Sequence, residues 1–265
     1  MMNHIAIGGI CMSRYFIITK RAILIVSAIS LAIIFGVIIC STTNLFVTTS
    51  TSPRKLPIYS TKQSEKKIAI SFDAAWGADD TQTLIEILEK HKVKTTFFVV
   101  GEWVDKYPEQ VKALHNAGHE IQNHSNGHPH LTNLSKADIQ TELEQCNSKI
   151  KAITGSSPTL MRPPYGDYDN NVLEATESIG MQTIQWSVDS LDWKDLSAQQ
   201  ITDRVLAAVE PGSIVLFHNA AKHTPEALPI ILEQLQADGY QIIPVSQLIY
   251  KDNYTIDHNG QQIPN

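Results

Sequence analysis

Residues 67–73 read Lys-Ile-Ala-Ile-Ser-Phe-Asp, a short apolar and β-prone run that ends in a carboxylate. A run of this kind, bounded by polar residues, is typical of a buried strand. Similar runs recur roughly every thirty residues in the rest of the chain, and stretches with helical periodicity lie between them. This alternation predicts parallel strands joined by crossover helices.

The same pattern gives a set of elements after residue 66. Strands are predicted at Lys67–Phe72, Thr95–Val100, Glu120–Asn123, Leu160–Arg162, Thr183–Ser187, Ser213–Phe217 and Gln241–Pro244. Helices are predicted at 81–91, 108–118, 135–155, 170–180, 197–209 and 224–239, several of them ending at a glycine that suits a left-handed stop. The units fit a barrel related to the eight-stranded one or a doubly wound sheet, and periodicity does not decide between the two.

The amino-terminal part of the chain has a different character. Residues 22–40 are apolar or small and carry no charge, which is close to the length of a helix that crosses a bilayer. Arg14, Lys20 and Arg21 precede this run. Because Lys and Arg accumulate on the cytoplasmic side, we expect a membrane anchor with the following domain outside the cell. A cleaved signal peptide is the alternative, which the length of the run and the lack of an Ala-x-Ala site disfavour.

These features divide the chain into segments and exclude some partners. The predicted segments are a cytoplasmic stretch (1–21), a transmembrane helix (22–40), a linker rich in Thr, Ser, Pro and Lys (41–65), a folded domain (66–250) and a carboxyl-terminal tail (251–265). The net charge of -6 argues against nucleic acid as a partner. Of the three cysteines only Cys146 lies in the domain, so no internal disulfide is expected there. We expect a monomer.

Polar side chains stand at the ends of the predicted strands. They are Asp73 after the first strand, His124 after the third, Arg162 at the end of the fourth, Asp189 and Asp192 after the fifth, and His218 after the sixth. Parallel α/β proteins build their active sites at the carboxyl ends of the strands, because the loops there converge on one crevice. The sequence therefore predicts that these side chains share one site.

The stretch His124-Ser125-Asn126-Gly127-His128 places two imidazoles four residues apart. Imidazole is a common zinc ligand, so the stretch suggests a metal site. Helical zinc proteases use the same spacing, but they need a Glu after the first His, and Asn126-Gly127 followed by Pro129 resists a helix. A polar loop whose histidines cap neighbouring elements is the simpler alternative.

Taken in order, five short motifs resemble those of the polysaccharide deacetylases, carbohydrate esterases that remove N-acetyl groups from peptidoglycan or chitin-like sugars. They are SFDAAWG at 71–77, HSNGH at 124–128, RPPYG at 162–166, DSLDW at 189–193 and LFH at 216–218. The resemblance covers Lys67 to about Leu248 and is nearest to the sporulation-associated subgroup. It implies a distorted seven-stranded β/α barrel and an extracellular hydrolase whose partner is cell-wall polysaccharide.

The resemblance also implies roles for single residues. Asp73 resembles the general base, and we expect Arg162 to pair with it. His218 resembles the general acid and needs an orienting carboxylate, for which Asp192 is the first choice and Asp189 the competitor. Tyr165 is expected to give its backbone N–H to the oxyanion. Substrate contacts are expected from Trp193, Leu216 and Pro163, and Pro163 would also stiffen the turn before Tyr165.

One position departs from the family pattern. The resemblance implies a divalent ion, with zinc as first choice, held by His124, His128 and a second consecutive Asp, but Ala74 stands in the place of that Asp. A methyl group cannot bind a metal. Asp79 or Asp80 could fold back to supply an oxygen, or could serve only to begin the helix at Thr81.

Three functions remain open at this point. The first is a metal-assisted N-deacetylase acting on cell-wall amino sugars. The second is a wall-glycan-binding protein that kept the groove and lost the chemistry, which the retention of Asp73 and His218 argues against. The third is a glycosidase using Asp73 and an acid after the fifth strand, which leaves His124 and His128 without a role.

Overall fold

Helix α1 (Lys20–Thr42) lies in the first of two units into which the chain divides, Met1–Ser52 and Pro53–Asn265. The computed structural model describes residues 19–42 and 53–265. The predicted cytoplasmic segment 1–21 therefore lies outside the described residues except for its last three, as do positions 43–52 of the predicted linker. No helix in the described part of the chain is both long enough and apolar enough to span a bilayer.

The second unit alternates strands and helices as the sequence predicts. Its strands are β1 (Ser60–Thr61), β2 (Lys67–Ala74), β3 (Thr96–Val99), β4 (Glu120–Asn123), β5 (Leu160–Met161), β6 (Gln182–Thr183), β7 (Val188–Asp189), β8 (Ile214–His218), β9 (Gln241–Ile242), β10 (Tyr254–Ile256) and β11 (Gln261–Pro264). Its helices are α2 (Thr81–Lys90), α3 (Gly101–Lys106), α4 (Pro108–Asn116), α5 (Lys136–Thr154), α6 (Asn170–Ser178), α7 (Ala198–Ala208), α8 (Thr224–Ala237) and α9 (Val245–Leu248).

Strand β2 is the centre of the main sheet. The strands lie in the order β6-β5-β4-β3-β2-β8-β7, all pairs are parallel, and β9 pairs with the start of β2. Every residue of β2 after Lys67 is buried, as expected for a strand covered on both faces. Phe72 stacks on Phe97 and Phe217 of the flanking strands, with ring centroids 4.8 and 5.6 Å apart. The predicted parallel α/β sheet with crossover helices is confirmed, in the form of a half-barrel.

The fifth predicted strand differs from the prediction. Thr183–Ser187 was expected as one strand, but β6 ends at Thr183 and β7 begins at Val188. In between, the N–H of Gln185 donates to Ile58 O (2.7 Å) and that of Ser187 donates to Ile214 O (3.0 Å). Between residues 185 and 187 the chain thus changes its pairing partner from Ile58 to Ile214. Local sequence does not predict this change, because both partners lie far away along the chain.

The folded unit extends beyond the predicted domain, 66–250, at both ends. Part of the predicted linker forms β1, and the predicted tail forms β10 and β11, which pair with β1 in a second small sheet. Ile58 is buried and bridges to Ile184 beside β6, while Ser60 bridges to Ser213 beside β8. The segment before residue 66 therefore fills the space between two strands of the main sheet, and the folded unit begins at Pro53.

Candidate active site

The carboxyl ends of the main strands surround a cavity of about 500 Å³. All five sequence motifs contribute residues to its lining, and Trp186 is the one lining residue outside them. The lining residues are Asp73, Ala75, Trp76, His124, His128, Tyr165, Gly166, Trp186, Asp189, Trp193, Leu216 and His218. The polar residues that were predicted to share one site therefore do lie together at this edge of the sheet. Arg162 and Asp192 are buried behind the residues that line the cavity.

Asp73 lies near the end of β2 and is held by a buried arginine. Nη1 of Arg162 donates to Oδ1 of Asp73 at 2.8 Å, which is the predicted pairing. Nη2 of Arg162 donates to Gln185 O, and the guanidinium lies 4.2 Å from the centroid of the Phe98 ring. Burial raises the pKa of Asp73, but the charges of Arg162, His124 and His218 together outweigh burial and hold that pKa below its ordinary value. Asp73 is therefore an anion at neutral pH.

His218, at the end of β8, forms a complete acid–base pair with Asp192. Its Nδ1 lies 2.8 Å from Asp192 Oδ1, while Asp192 Oδ2 accepts from the His218 backbone N–H (2.8 Å) and from Thr224 Oγ1 (2.7 Å). Burial lowers the pKa of His218. The hydrogen bond and the charge of Asp192 raise this pKa by more than burial lowers it, so the pKa lies above its ordinary value. The competing choice is wrong, because Asp189 accepts from the N–H of Leu191 instead.

His124 and His128 lie side by side, with ring centroids 4.9 Å apart. Nδ1 of His124 lies 2.8 Å from the carbonyl oxygen of Arg162, which fixes a proton on Nδ1 and leaves a lone pair on Nε2, 3.6 Å from Asp73 Oδ2. Burial lowers the pKa of both histidines, that of His128 to about 4. Both are neutral near pH 7, which is the protonation state that binds a metal.

The third ligand of a metal site is missing from these surroundings. Ala74 is fully buried and packs in the apolar core with Ile70 and Phe72, outside the cavity lining. No group of three or more His, Cys, Asp or Glu side chains is arranged to hold a metal within residues 19–42 and 53–265. His128 Nδ1 is buried without a hydrogen-bond partner among them. Two imidazoles do not fit the three-ligand site that a catalytic zinc ion uses.

Asp80 lies where a helix begins, as the sequence suggested, but its carboxylate is used elsewhere. It stands at the N-cap of α2, but its side chain makes no capping hydrogen bond. Its Oδ2 accepts from the N–H of Ala220 at 2.8 Å, which directs the carboxylate to the loop after β8, and Asp80 is not among the residues that line the cavity. Its Oδ1 is buried without a partner in the described structure, and burial raises its pKa.

Asn219 joins the loop after β2 to the loop after β8. Its N–H donates to Asp73 O at 3.1 Å, its Oδ1 accepts from the N–H of Ala75 at 3.3 Å, and its Nδ2 donates to Gly77 O. Asn219 is buried, so these bonds are shielded from water. Because Asn219 directly follows His218, these hydrogen bonds link the proposed acid to the segment that begins with Asp73.

The residues predicted to contact substrate lie in different places. Trp193 and Leu216 line the cavity, whereas Pro163 is buried outside the lining. Tyr165 has a left-handed backbone (φ 60°, ψ 6°) in the turn after β5, and its side chain is exposed to the cavity. Sequence analysis missed Trp76, an exposed aromatic residue three positions after Asp73. Its position only three residues after Asp73, the proposed base, could have indicated that Trp76 lies at the active site.

Comparison with known proteins places this site in a family. The model of the polysaccharide deacetylase family matches residues 60–184. The chain is 37% identical over 194 residues to the peptidoglycan-N-acetylglucosamine deacetylase PgdA of Listeria monocytogenes, covering 73% of this chain but only 41% of that protein. It is 35% identical over 191 residues to the peptidoglycan-N-acetylmuramic acid deacetylase PdaA of Bacillus subtilis, covering 71% of this chain and 73% of PdaA.

Solved structures give the same result. The solved structure of Bacillus subtilis PdaA, a family 4 carbohydrate esterase, is 33% identical and has a TM-score of 0.69 over 72% of this chain and 84% of that one. A family 4 pseudoenzyme from Bacillus anthracis is 34% identical, with a TM-score of 0.70 over 72% of this chain and 68% of that one. A mutant of that pseudoenzyme is described as having restored enzymatic activity. With motifs, fold and relatives in agreement, the chain belongs to the polysaccharide deacetylase family.

Proposed function

We propose that the protein is a hydrolase that removes N-acetyl groups from the amino sugars of cell-wall polysaccharide. One observation carries the proposal: Asp73 and His218 line the same cavity, and each has its own buried charged partner, Arg162 and Asp192. A groove that only binds glycan needs neither an oriented base nor an oriented acid. The peptidoglycan deacetylases among the relatives support the same substrate class.

The reaction follows from the charge states of the two residues. Asp73, kept ionised by Arg162, accepts a proton from water while the water oxygen forms a bond to the acetyl carbon. The backbone N–H of Tyr165 is our candidate donor to the resulting oxyanion. His218, whose pKa is raised by Asp192, then gives its proton to the sugar nitrogen as the carbon–nitrogen bond breaks. The products are acetate and a free amino sugar.

The expected divalent ion stays a prediction. His124 and His128 offer two neutral nitrogen ligands, and zinc or a similar ion suits imidazole. Because Ala74 removes the usual carboxylate, we expect weak occupancy, and none of the steps above depends on the ion. Membership of the sporulation-associated subgroup likewise stays a prediction from the first motif.

A glycan-binding protein without activity is the second candidate. It is favoured by Ala74 and by the likeness to a Bacillus anthracis protein described as a pseudoenzyme. The glycosidase hypothesis has less support, because both oxygens of Asp192 are already engaged by His218 and Thr224. A glycosidase would therefore have to use Asp189, which lines the cavity and accepts from the N–H of Leu191 through Oδ1, as the second acid.

We also propose that the protein is a monomer, anchored in the membrane by the helix at 22–40, with its folded unit outside the cell and the wall polysaccharide as its partner. The support is the uncharged apolar run and the cations that precede it. Protease added to intact cells should digest the folded unit while the protein stays with the membrane fraction. Protection from protease, or release of a shortened soluble form, would contradict the anchor.

Acetate release decides between the candidate functions. The full chain, purified in detergent, is incubated with N-acetylglucosamine oligomers and with peptidoglycan, with and without added zinc. A deacetylase releases acetate and creates no new reducing ends. New reducing ends would indicate a glycosidase, and binding of the glycan without acetate under either metal condition would indicate the binding protein.

A further inference from the structure

Exposed aromatic side chains are concentrated at the cavity. Within residues 53–265, four large apolar side chains are about half exposed or more: Trp76 (67%), Tyr165 (59%), Trp193 (58%) and Ile230 (49%). All three aromatic ones line the same cavity, and Ile230 does not. Large apolar surface left in water at one place on a protein marks a binding surface, whereas scattered residues carry no such meaning.

The three rings come from widely separated strands. Trp76 follows β2 in the middle of the sheet, Tyr165 follows β5, and Trp193 follows β7 at one edge. Asp73 and His218 lie on β2 and β8, between β5 and β7 in the strand order. The aromatic side chains therefore reach the cavity from both sides of the two residues proposed for proton transfer.

Neighbouring side chains hold each ring. His130 stacks on Tyr165 with centroids 4.2 Å apart and planes 18° apart. Lys194 Nζ lies 4.9 Å from the centroid of the Trp193 ring. Trp76 meets His128 edge to face, with centroids 5.7 Å apart. Rings that are held before the ligand arrives lose little conformational freedom when it binds.

We propose that Trp76 is a sugar-stacking residue and that, together with Tyr165 and Trp193, it makes the cavity a cleft for an internal sugar of a glycan chain. The inference rests on the proposed function and names its substrate class. Aromatic rings suit the apolar C–H faces of pyranoses. A pyranose has only two faces, so three separate rings cannot all stack on one sugar, and the third ring is available to a neighbouring sugar.

Dependence on chain length tests this cleft. Initial rates are measured for the full chain with the dimer and the pentamer of N-acetylglucosamine. Trp76→Ala should raise KM for the pentamer about tenfold, the size typical of one lost aromatic stacking contact, and change KM for the dimer much less. Trp76→Phe should recover most of the loss. Ile230→Ala, which removes an exposed apolar side chain outside the cavity, should change neither.

Binding gives a second readout that needs no turnover. Calorimetric titration with the pentamer should show weaker binding to Trp76→Ala than to the wild-type protein or Ile230→Ala. Equal loss for dimer and pentamer, or no loss at all, would overturn the cleft, as would the absence of any pentamer binding. If no acetate is ever released but Trp76→Ala still weakens pentamer binding, the cleft stands and the proposed deacetylation fails.

Discussion

The cavity has two histidine-bearing sides that differ in how completely they are built. On one side, His218 has its carboxylate, and each oxygen of Asp192 has at least one hydrogen-bond donor. On the other side, His124 is oriented by a carbonyl, but His128 has a buried nitrogen without a partner in the described structure, and Ala74 offers only a methyl group. The side proposed for proton transfer thus has all of its partners, whereas the side proposed for ion binding lacks a carboxylate. The two halves of this site can therefore be tested separately.

The largest effect is expected from breaking the complete side. His218→Ala and Asp73→Asn should each lower kcat/KM for acetate release by at least roughly a hundredfold, because each removes a group that moves a proton in the reaction. Acetate assays with matched circular dichroism spectra measure this. The double variant should lose less than the product of the two single losses. A single variant that is folded and near wild-type in rate would remove that residue from the mechanism.

Adding a ligand to the incomplete side should have the next largest effect. Ala74→Asp should tighten zinc binding about tenfold or more, since a carboxylate adds an anionic ligand to the two imidazoles. Without metal the same variant should be less stable than wild type, because Ala74 lies in the apolar core, and zinc should restore its Tm. Calorimetry on wild type, Ala74→Asp and His128→Ala is the measurement. Equal zinc affinity in all three, or binding in none, would show that the two histidines form no metal site.

A smaller effect is expected where the two loops are tied together. Asn219→Ala removes the side-chain bonds to Ala75 and Gly77 and should lower kcat about tenfold with little change in KM, because Asp73 and His218 lose their fixed spacing. Steady-state kinetics measure both constants, and Gln82→Ala, an exposed amide on α2, is the control. A rise in KM at constant kcat would show instead that Asn219 acts on glycan binding.

The smallest effect concerns pH. The general acid must be protonated, so kcat/KM should be retained below the pKa of His218 and fall as pH rises through it. Because Asp192 raises that pKa, the fall should be centred above 6.5. In the residual activity of Asp192→Asn the fall should move to lower pH, since the stabilising charge is gone. A pH series in constant ionic strength tests this, and a midpoint at or below 6.5 in the wild-type protein would contradict it.

The convergence of the polar residues could be predicted from sequence because each stands at the end of a strand, and parallel strands share one edge. The pairing of Asp73 with Arg162 and of His218 with Asp192 was expected once the resemblance to the family had suggested Asp73 as the base and His218 as the acid. Other features depend on partners far along the chain. Asp80 suits a helix start locally, but the N–H of Ala220 lies within reach only after folding. Ile58 looked like part of a linker because nothing near it in sequence reveals the bridge to Ile184.

Strand β1 has a consequence for how the chain acquires its fold. It pairs in parallel with β11, and Ser60 lies 201 residues before its partner Gln261. The first strand of the folded unit is thus completed by a strand 201 residues further along the chain. Contacts of such long sequence separation form slowly. Until Gln261 and Gln262 reach Ser60 and Thr61, the small sheet cannot close, so a folding intermediate that already contains the main sheet should still leave the backbone of β1 open to proteases.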